Sequence, residues 1–237
     1  MTNRGPEVRS YEDPLTYLPR KPIQEFSRGG TIYDPQQPSD HVYVVILGRV
    51  KITNIAEDGC QTIGRLVCAE GLFGESCLIG STPRSETAIA LDNVTVMAWS
   101  AAEIELQIER EPRLGIALSQ HLVLQCIELQ DRIESMAVHK TPERVMLALL
   151  QLGADLGSPM ADGAIRVPSL THHTIAGYVG TSREIVTFQM NRLRRLSLIR
   201  YSRKYIDIYP QAIRETLRQQ GVTVPPGVRE LTQQVGG

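Results

Sequence analysis

Residues 170–198 read LTHHTIAGYVGTSREIVTFQMNRLRRLSL. Thr171 can cap a helix, because its hydroxyl accepts a hydrogen bond from a free N–H of the first turn. Ile175, Tyr178 and Val179 follow at spacings of three and four, which gives that helix one apolar face. Gly180 admits the positive φ of a tight turn. Thr181 or Ser182 caps a second helix, with Glu184 in its first turn, where negative charge suits the helix dipole. This second helix is expected to bury Ile185, Val186, Met190, Leu193 and Leu196 and to turn Arg183, Gln189, Arg192 and Arg195 outward. Two short helices joined through a glycine, the second one basic, form the helix-turn-helix pattern.

Ile199 to Tyr201, the polar Ser202-Arg203-Lys204 and Tyr205 to Tyr209 then read as a hairpin wing. Between Thr171 and Tyr205 stand Arg183, Arg192, Arg194, Arg195, Arg200, Arg203 and Lys204 against one carboxylate, Glu184, a balance of +6. The whole chain carries −1, so positive charge is concentrated where phosphates would lie. A basic amphipathic helix is often only a solvated surface, and this fold unit also occurs away from DNA. The wing and the local charge favour a nucleic-acid interface.

A chain of 237 residues is long enough for two domains and a sizeable core. Its near-zero net charge excludes a uniformly basic, histone-like protein. No apolar run approaches the roughly 18 residues of a membrane span, and Arg4, Glu7, Arg9, Glu12 and Asp13 leave no signal-peptide core. A soluble, cytoplasmic protein without a membrane partner is the expectation. Cys60, Cys68, Cys77 and Cys126 show no C-x-x-C spacing, so disulfides, a zinc knuckle or an iron–sulfur cluster find no support. Motifs for a nucleophile elbow, a Walker loop or a zincin are absent, so no enzyme and no catalytic residue is expected.

Residues 1–22 contain Pro6, Pro14 and Pro19 and read as a flexible arm. Residues 23–100 have β texture: Thr31–Tyr33, Val42–Leu47, Val50–Ile55, Thr62–Val67, Ala88–Leu91 and Thr95–Trp99 alternate with turn signals such as Gly48 and Asp58-Gly59. Short strands at near-regular spacing imply a barrel or sandwich. Residues 101–139 are helical, with a Ser100/Glu103 capping box. In the long helix after Pro112, Leu122, Cys126, Leu129, Ile133 and Met136 recur at spacings of four and three, the seam of a coiled coil. The alternative is a stripe packed on its own domain. A helix-turn-helix reader needs two copies to match two half-sites, which favours a dimer. Residues 140–215 form the second domain, opened by Thr141 as cap and Pro142 at the first helical position, with Gly157–Gly163 as a loop. Residues 216–237, with Pro225-Pro226 and Gly236-Gly237, read as a tail.

An N-terminal barrel, a long helix and a C-terminal winged helix-turn-helix together resemble the bacterial CRP/FNR superfamily, over about residues 23–215. The motifs that carry the resemblance are Gly30, Gly48, Gly59 and Gly71, Phe73-Gly74-Glu75, Pro83-Arg84-Ser85, Thr141-Pro142-Glu143-Arg144 and Gly180-Thr181-Ser182-Arg183-Glu184. Arg144 to Pro210 is similar to the cyanobacterial nitrogen-control members. The resemblance implies an α+β fold: a cyclic-nucleotide-binding-type β-barrel of the jelly-roll (double-stranded β-helix) kind, a long dimerisation helix and a winged helix-turn-helix. It implies a transcription regulator that binds a near-palindromic duplex as a homodimer, with RNA polymerase as a further candidate partner.

Carried over by position, Arg183, Glu184, Thr187, Phe188 and Gln189 would face base edges, and Thr171, Ser182, Arg192, Arg200, Arg203 and Lys204 would meet phosphates. The family commonly has a guanine-reading arginine where this chain has Phe188, which can touch a thymine methyl but cannot donate to guanine. For an effector, Gly74, Glu75, Arg84 and Ser85 match the positions that hold a cyclic nucleotide's ribose and phosphate. Leu129 and Gln130 fall where the family places two hydroxyls on an adenine, and Glu86 stands where it has a small residue. Cyclic AMP is therefore one candidate effector among several. The alternatives are another small ligand, or none, with Arg84 paired to Glu75 or Glu86 in a ligand-free barrel. No cysteine precedes Cys60, and adjacent His172 and His173 point apart on a helix, so no cluster or haem is expected. The rival function is an effector-binding module that acts on a protein partner without specific DNA binding.

Overall fold

The computed structural model describes residues 11–55, 61–80 and 83–224. Eight antiparallel strands build the N-terminal domain: β1 (Ile23–Phe26), β2 (Thr31–Tyr33), β3 (His41–Leu47), β4 (Val50–Ile55), β5 (Gln61–Val67), β6 (Leu72–Phe73), β7 (Thr87–Ala90) and β8 (Val94–Ser100). They form two sheets, in the orders β1-β8-β3-β6 and β2-β7-β4-β5. Val45, Val50, Ile52, Phe73, Val94 and Val96 fill the space between the sheets. Strand β3 is buried on both faces: Val45 points into that interior, while Val42 and Val44 lie with Trp99 against the helices that follow. The turn at Gly48 requires glycine, since φ is 88° and a Cβ would stand 2.4 Å from the Asn93 carbonyl oxygen. The Asp58-Gly59 turn, Cys60, and the Pro225-Pro226 and Gly236-Gly237 segments lie outside the described residues.

Ser100 and Glu103 make the expected reciprocal cap of α1 (Ala101–Arg110). Helix α2 (Arg113–Val138) has 26 residues and is about 39 Å long. Its buried residues, Leu114, Ala117 and Leu118, all lie near its start, against the barrel. The described part of the arm is docked rather than loose. The Trp99 indole N–H donates to the Pro19 carbonyl at 2.9 Å, Gln107 donates to the Tyr17 carbonyl at 2.8 Å, and Leu15 and Leu18 cover the Trp99–Leu114 cluster. A buried indole N–H needs an acceptor, and the arm supplies it.

The C-terminal domain comprises α3 (Thr141–Leu156), β9 (Ser158–Pro159), β10 (Ile165–Pro168), α4 (His172–Val179), α5 (Arg183–Arg195), β11 (Ile199–Tyr201), β12 (Tyr205–Ile208) and α6 (Pro210–Gln219). Its sheet runs β11-β12-β10-β9, and its core gathers Val145, Leu149, Ile175, Val186, Met190, Ile199, Ile208, Ile213 and Leu217. Three expectations shift. The cap of α3 is Lys140, not Thr141, and its N–H donates to Glu143 at 2.8 Å. The loop after Gly157 contains the short strand β9, which pairs with β10. The domain extends beyond residue 215, because Leu217 and Val222 are buried in its core. Among the described residues, no helix is long and apolar enough to cross a membrane.

Candidate nucleic-acid interface

The reader is assembled by local hydrogen bonds. Thr171 Oγ1 accepts from the Thr174 N–H at 3.0 Å and caps α4. Gly180 turns the chain at φ 71°. Arg144 on α3 donates to the Val179 and Gly180 carbonyls, both at 2.7 Å, and so pins that turn from behind. Ser182 Oγ accepts from the Ile185 N–H at 3.3 Å and caps α5. Glu184 sits at this N-terminus, where its own backbone N–H and the Ser182 hydroxyl hold its carboxyl below the usual range.

Helix α5 buries Val186, Gln189, Met190 and Leu193. Gln189 lies three residues after Val186 and four before Leu193, so it shares the core stripe and does not face a base as expected. Ile185 and Leu196, expected in the core, are 42% and 54% exposed; Ile185 falls off that stripe, and Leu196 is the C-cap where the helix ends. Thr187 is also spoken for. Its hydroxyl donates to the Arg183 carbonyl at 2.8 Å and lies 2.9 Å from His172 Nδ1, which must then carry the hydrogen between them. Burial, then the Arg183 charge, lowers the pKa of His172, and its ring meets Tyr201 edge-on. Thr187 therefore ties α4 to α5, contrary to the expected base contact.

Arg183, Glu184 and Phe188 remain on the outward face, with Phe188 60% exposed. Asn191, passed over in the sequence, joins them and accepts a hydrogen bond from the Tyr201 hydroxyl at 3.0 Å. Its signal was its place three residues after Phe188 and seven after Glu184. Among the described residues, Arg183, Arg192, Arg195, Arg203 and Lys204 form no ion pair. Arg194 lies over the Tyr201 ring at 5.4 Å. Arg200 differs from the expectation of a free phosphate ligand: it pairs with Asp162 at 2.8 Å and Asp207 at 3.5 Å. The buried Asp207 is also gripped by Arg166 at 2.7 Å, so this network fixes the wing.

The α2 seam is uncovered within one chain. Leu122, Leu129, Ile133 and Met136 are 39%, 52%, 67% and 46% exposed, and Cys126, Val123 and Ile127 are exposed beside them. Gly180 lies at the end of the seam, where a Cβ would stand 3.4 Å from Met136 Cε.

At the barrel, Glu75 does not pair with Arg84. Its Oε1 receives Gln125 at 2.6 Å and Arg65 at 3.1 and 3.2 Å, with His121 at 3.3 Å. Burial pushes its carboxyl up, but His121, the Arg65 charge and Gln125 overcome that and bring it down to about 2. Arg84 is buried over the Tyr33 ring at 4.0 Å and donates to the Gly74 carbonyl at 3.0 Å and the His41 carbonyl at 2.7 Å. Glu86 accepts instead from the Tyr33 hydroxyl at 2.7 Å. Ser85, Leu129 and Gln130 are exposed and are not brought to this cluster; His121 and Gln125, polar positions one turn apart on an apolar helix, take that place. As arranged, Glu75 is occupied by Arg65, His121 and Gln125 and Arg84 by the Gly74 and His41 carbonyls, while the buried Arg84 Nε makes no hydrogen bond among the described residues. Among the described residues, no group of three or more His, Cys, Asp or Glu could hold a metal ion.

Two family models match the chain: a cyclic nucleotide-binding domain over residues 23–111 and a Crp-like helix-turn-helix domain over residues 143–212. The transcriptional regulator SdrP of Thermus thermophilus is 31% identical over 180 residues, covering 74% of this chain and 83% of its own. The global nitrogen regulator of Nostoc sp. is 27% identical over 189 residues, covering 79% and 85%. The crystal structure of a CRP/FNR-family transcriptional regulator from Thermus thermophilus superposes with a TM-score of 0.65 at 28% identity, covering 83% of this chain and 98% of that one.

Proposed function

The chain belongs to the CRP/FNR family, and on that premise we propose that it is a DNA-binding transcription regulator that grips a near-palindromic duplex as a homodimer. The observation that carries this is the α5 surface: a capped helix with Arg183, Glu184 and Phe188 outward, flanked by Arg192, Arg195, Arg203 and Lys204 without counter-ions among the described residues. Arg183 and Glu184 suit guanine and cytosine edges, and the flanking cations suit phosphates. The uncovered seam on α2 supports the dimer, since two readers on one symmetric pair match two half-sites. In this reading RNA polymerase is the partner at the promoter, and the protein has no catalytic role. No effector step is assigned, because Glu75 and Arg84 are committed to partners within the chain.

Selection of bound duplexes from a random pool tests the proposal, with and without cyclic AMP. Enrichment of one palindrome in both pools is the expected result. Enrichment only with cyclic AMP would mean that the Glu75 and Arg84 contacts rearrange around a ligand. No enrichment in either pool would favour an effector-binding module that acts on a protein partner.

A further inference from the structure

Phe188 stands near the middle of the outward face of α5, opposite the buried stripe of Val186, Met190 and Leu193. Its ring is 60% exposed and makes no aromatic or cation–π contact among the described residues. Its helical neighbours at four and three before and three and four after are Glu184, Ile185, Asn191 and Arg192. The same helix carries exposed Arg183 and Arg195 beyond these neighbours. Such a surface suits a polyanion that carries an apolar group at a defined place.

The major-groove edge of duplex DNA has one such group, the C5-methyl of thymine. Every other edge presents donors or acceptors, which a phenyl ring would desolvate without replacing their hydrogen bonds. The residues on either side of Phe188 in the sequence cannot supply that replacement. Thr187 is bonded to the Arg183 carbonyl and His172, and Gln189 is in the core. We infer that Phe188 is a specificity-determining residue that recognises a thymine methyl, so that each half-site places a T·A pair under the ring. This rests on the reading of α5 as the major-groove helix and adds the chemistry read at one position.

Replacing thymine by deoxyuridine deletes that methyl and nothing else. In the duplex selected by the full-length protein, each thymine is replaced in turn and the affinity measured for wild type and Phe188→Ala. One position per half-site is expected to lose about fourfold in wild type, the transfer of one methyl-sized group, and nothing in Phe188→Ala. Phe188→Arg, which can donate to guanine O6 and N7, is expected to move the preference at that base pair to guanine. If a site is selected but no thymine shows Phe188-dependent loss, the inference is overturned while the DNA-binding reading stands. If no site is selected at all, both are overturned.

Discussion

Arg132 of the long helix holds its guanidinium carbon 4.6 Å from the centre of the Tyr178 ring and donates to the Tyr178 carbonyl at 3.0 Å. The same side chain donates to the Ile63 carbonyl at 3.0 Å and to the Gly64 carbonyl. One arginine therefore joins α2, barrel strand β5 and the first reader helix. Around it Ile63 and Leu66 of β5 enter the core of the reader domain, so the barrel and the reader share packed surface. A change in the barrel has a direct mechanical route to the reader through this junction, provided it favours one arrangement over the other.

Arg132→Ala should loosen that junction. Three carbonyls lose a charged donor, and hydrogen bonds to charged groups contribute about 1.5–3 kcal/mol each at most. Amide exchange in β5 and α4 should speed up together, while the β3–β8 ladder stays protected. Uniform acceleration across the barrel would show that Arg132 holds the whole fold and not the junction.

The seam calls for a different variant. Leu129→Glu with Ile133→Glu places two charges on side chains that are 52% and 67% exposed within one chain. The fold should survive, since surface changes usually shift stability by about 0.5 kcal/mol or less. The dimer should not, since the carboxylates would be buried without partners. Sedimentation velocity distinguishes the two species, and a dimer that persists would remove α2 as the interface.

On the wing, Arg200 and its neighbours Arg203 and Lys204 should behave unlike one another. Arg203→Ala and Lys204→Ala should each weaken DNA binding evenly across sequences and reduce the salt slope by about one. Arg200→Ala should leave the slope nearly unchanged and lower wing stability, because its charge faces Asp162 and Asp207. Equal slopes for all three variants would return Arg200 to the phosphates.

Glu75 sets an acid dependence. Its carboxyl lies near 2 in the fold against an ordinary 4.5. A carboxyl lowered by folding stabilises the native state above its unfolded value and loses that contribution as pH falls through the folded one. The contribution is up to about 3 kcal/mol near neutral pH and should fade between about pH 5 and pH 2. Glu75→Gln should therefore be less stable than wild type at pH 7, and the difference should close on acidification. A gap that stays constant down to pH 2 would contradict the pairing of an ionised Glu75 with Arg65.

Much of the fold is legible in the sequence. The runs at Val42–Leu47, Val50–Ile55 and Thr62–Val67 appear as β3, β4 and β5 with shifts of a residue. Thr171, Gly180 and Ser182 do what their chemistry implies, because a cap or a left-handed turn is decided within a few residues. The resemblance located Glu75 and Arg84; the Arg84 pairing with Glu75 or Glu86 considered for a ligand-free barrel is not formed.

The order of most elements, the reader with its caps and the apolar stripe on α2 follow from periodicity or local hydrogen bonding. Packing of the folded chain puts Gln189 inside, gives Thr187 to His172 and Arg200 to the acids of the wing, and brings Arg65, His121 and Gln125 to Glu75. Those outcomes depend on which distant segment supplies the partner, from 10 to 50 residues away along the chain for Glu75. A buried polar group takes whichever donor or acceptor packing brings within about 3 Å, and packing is a property of the whole fold.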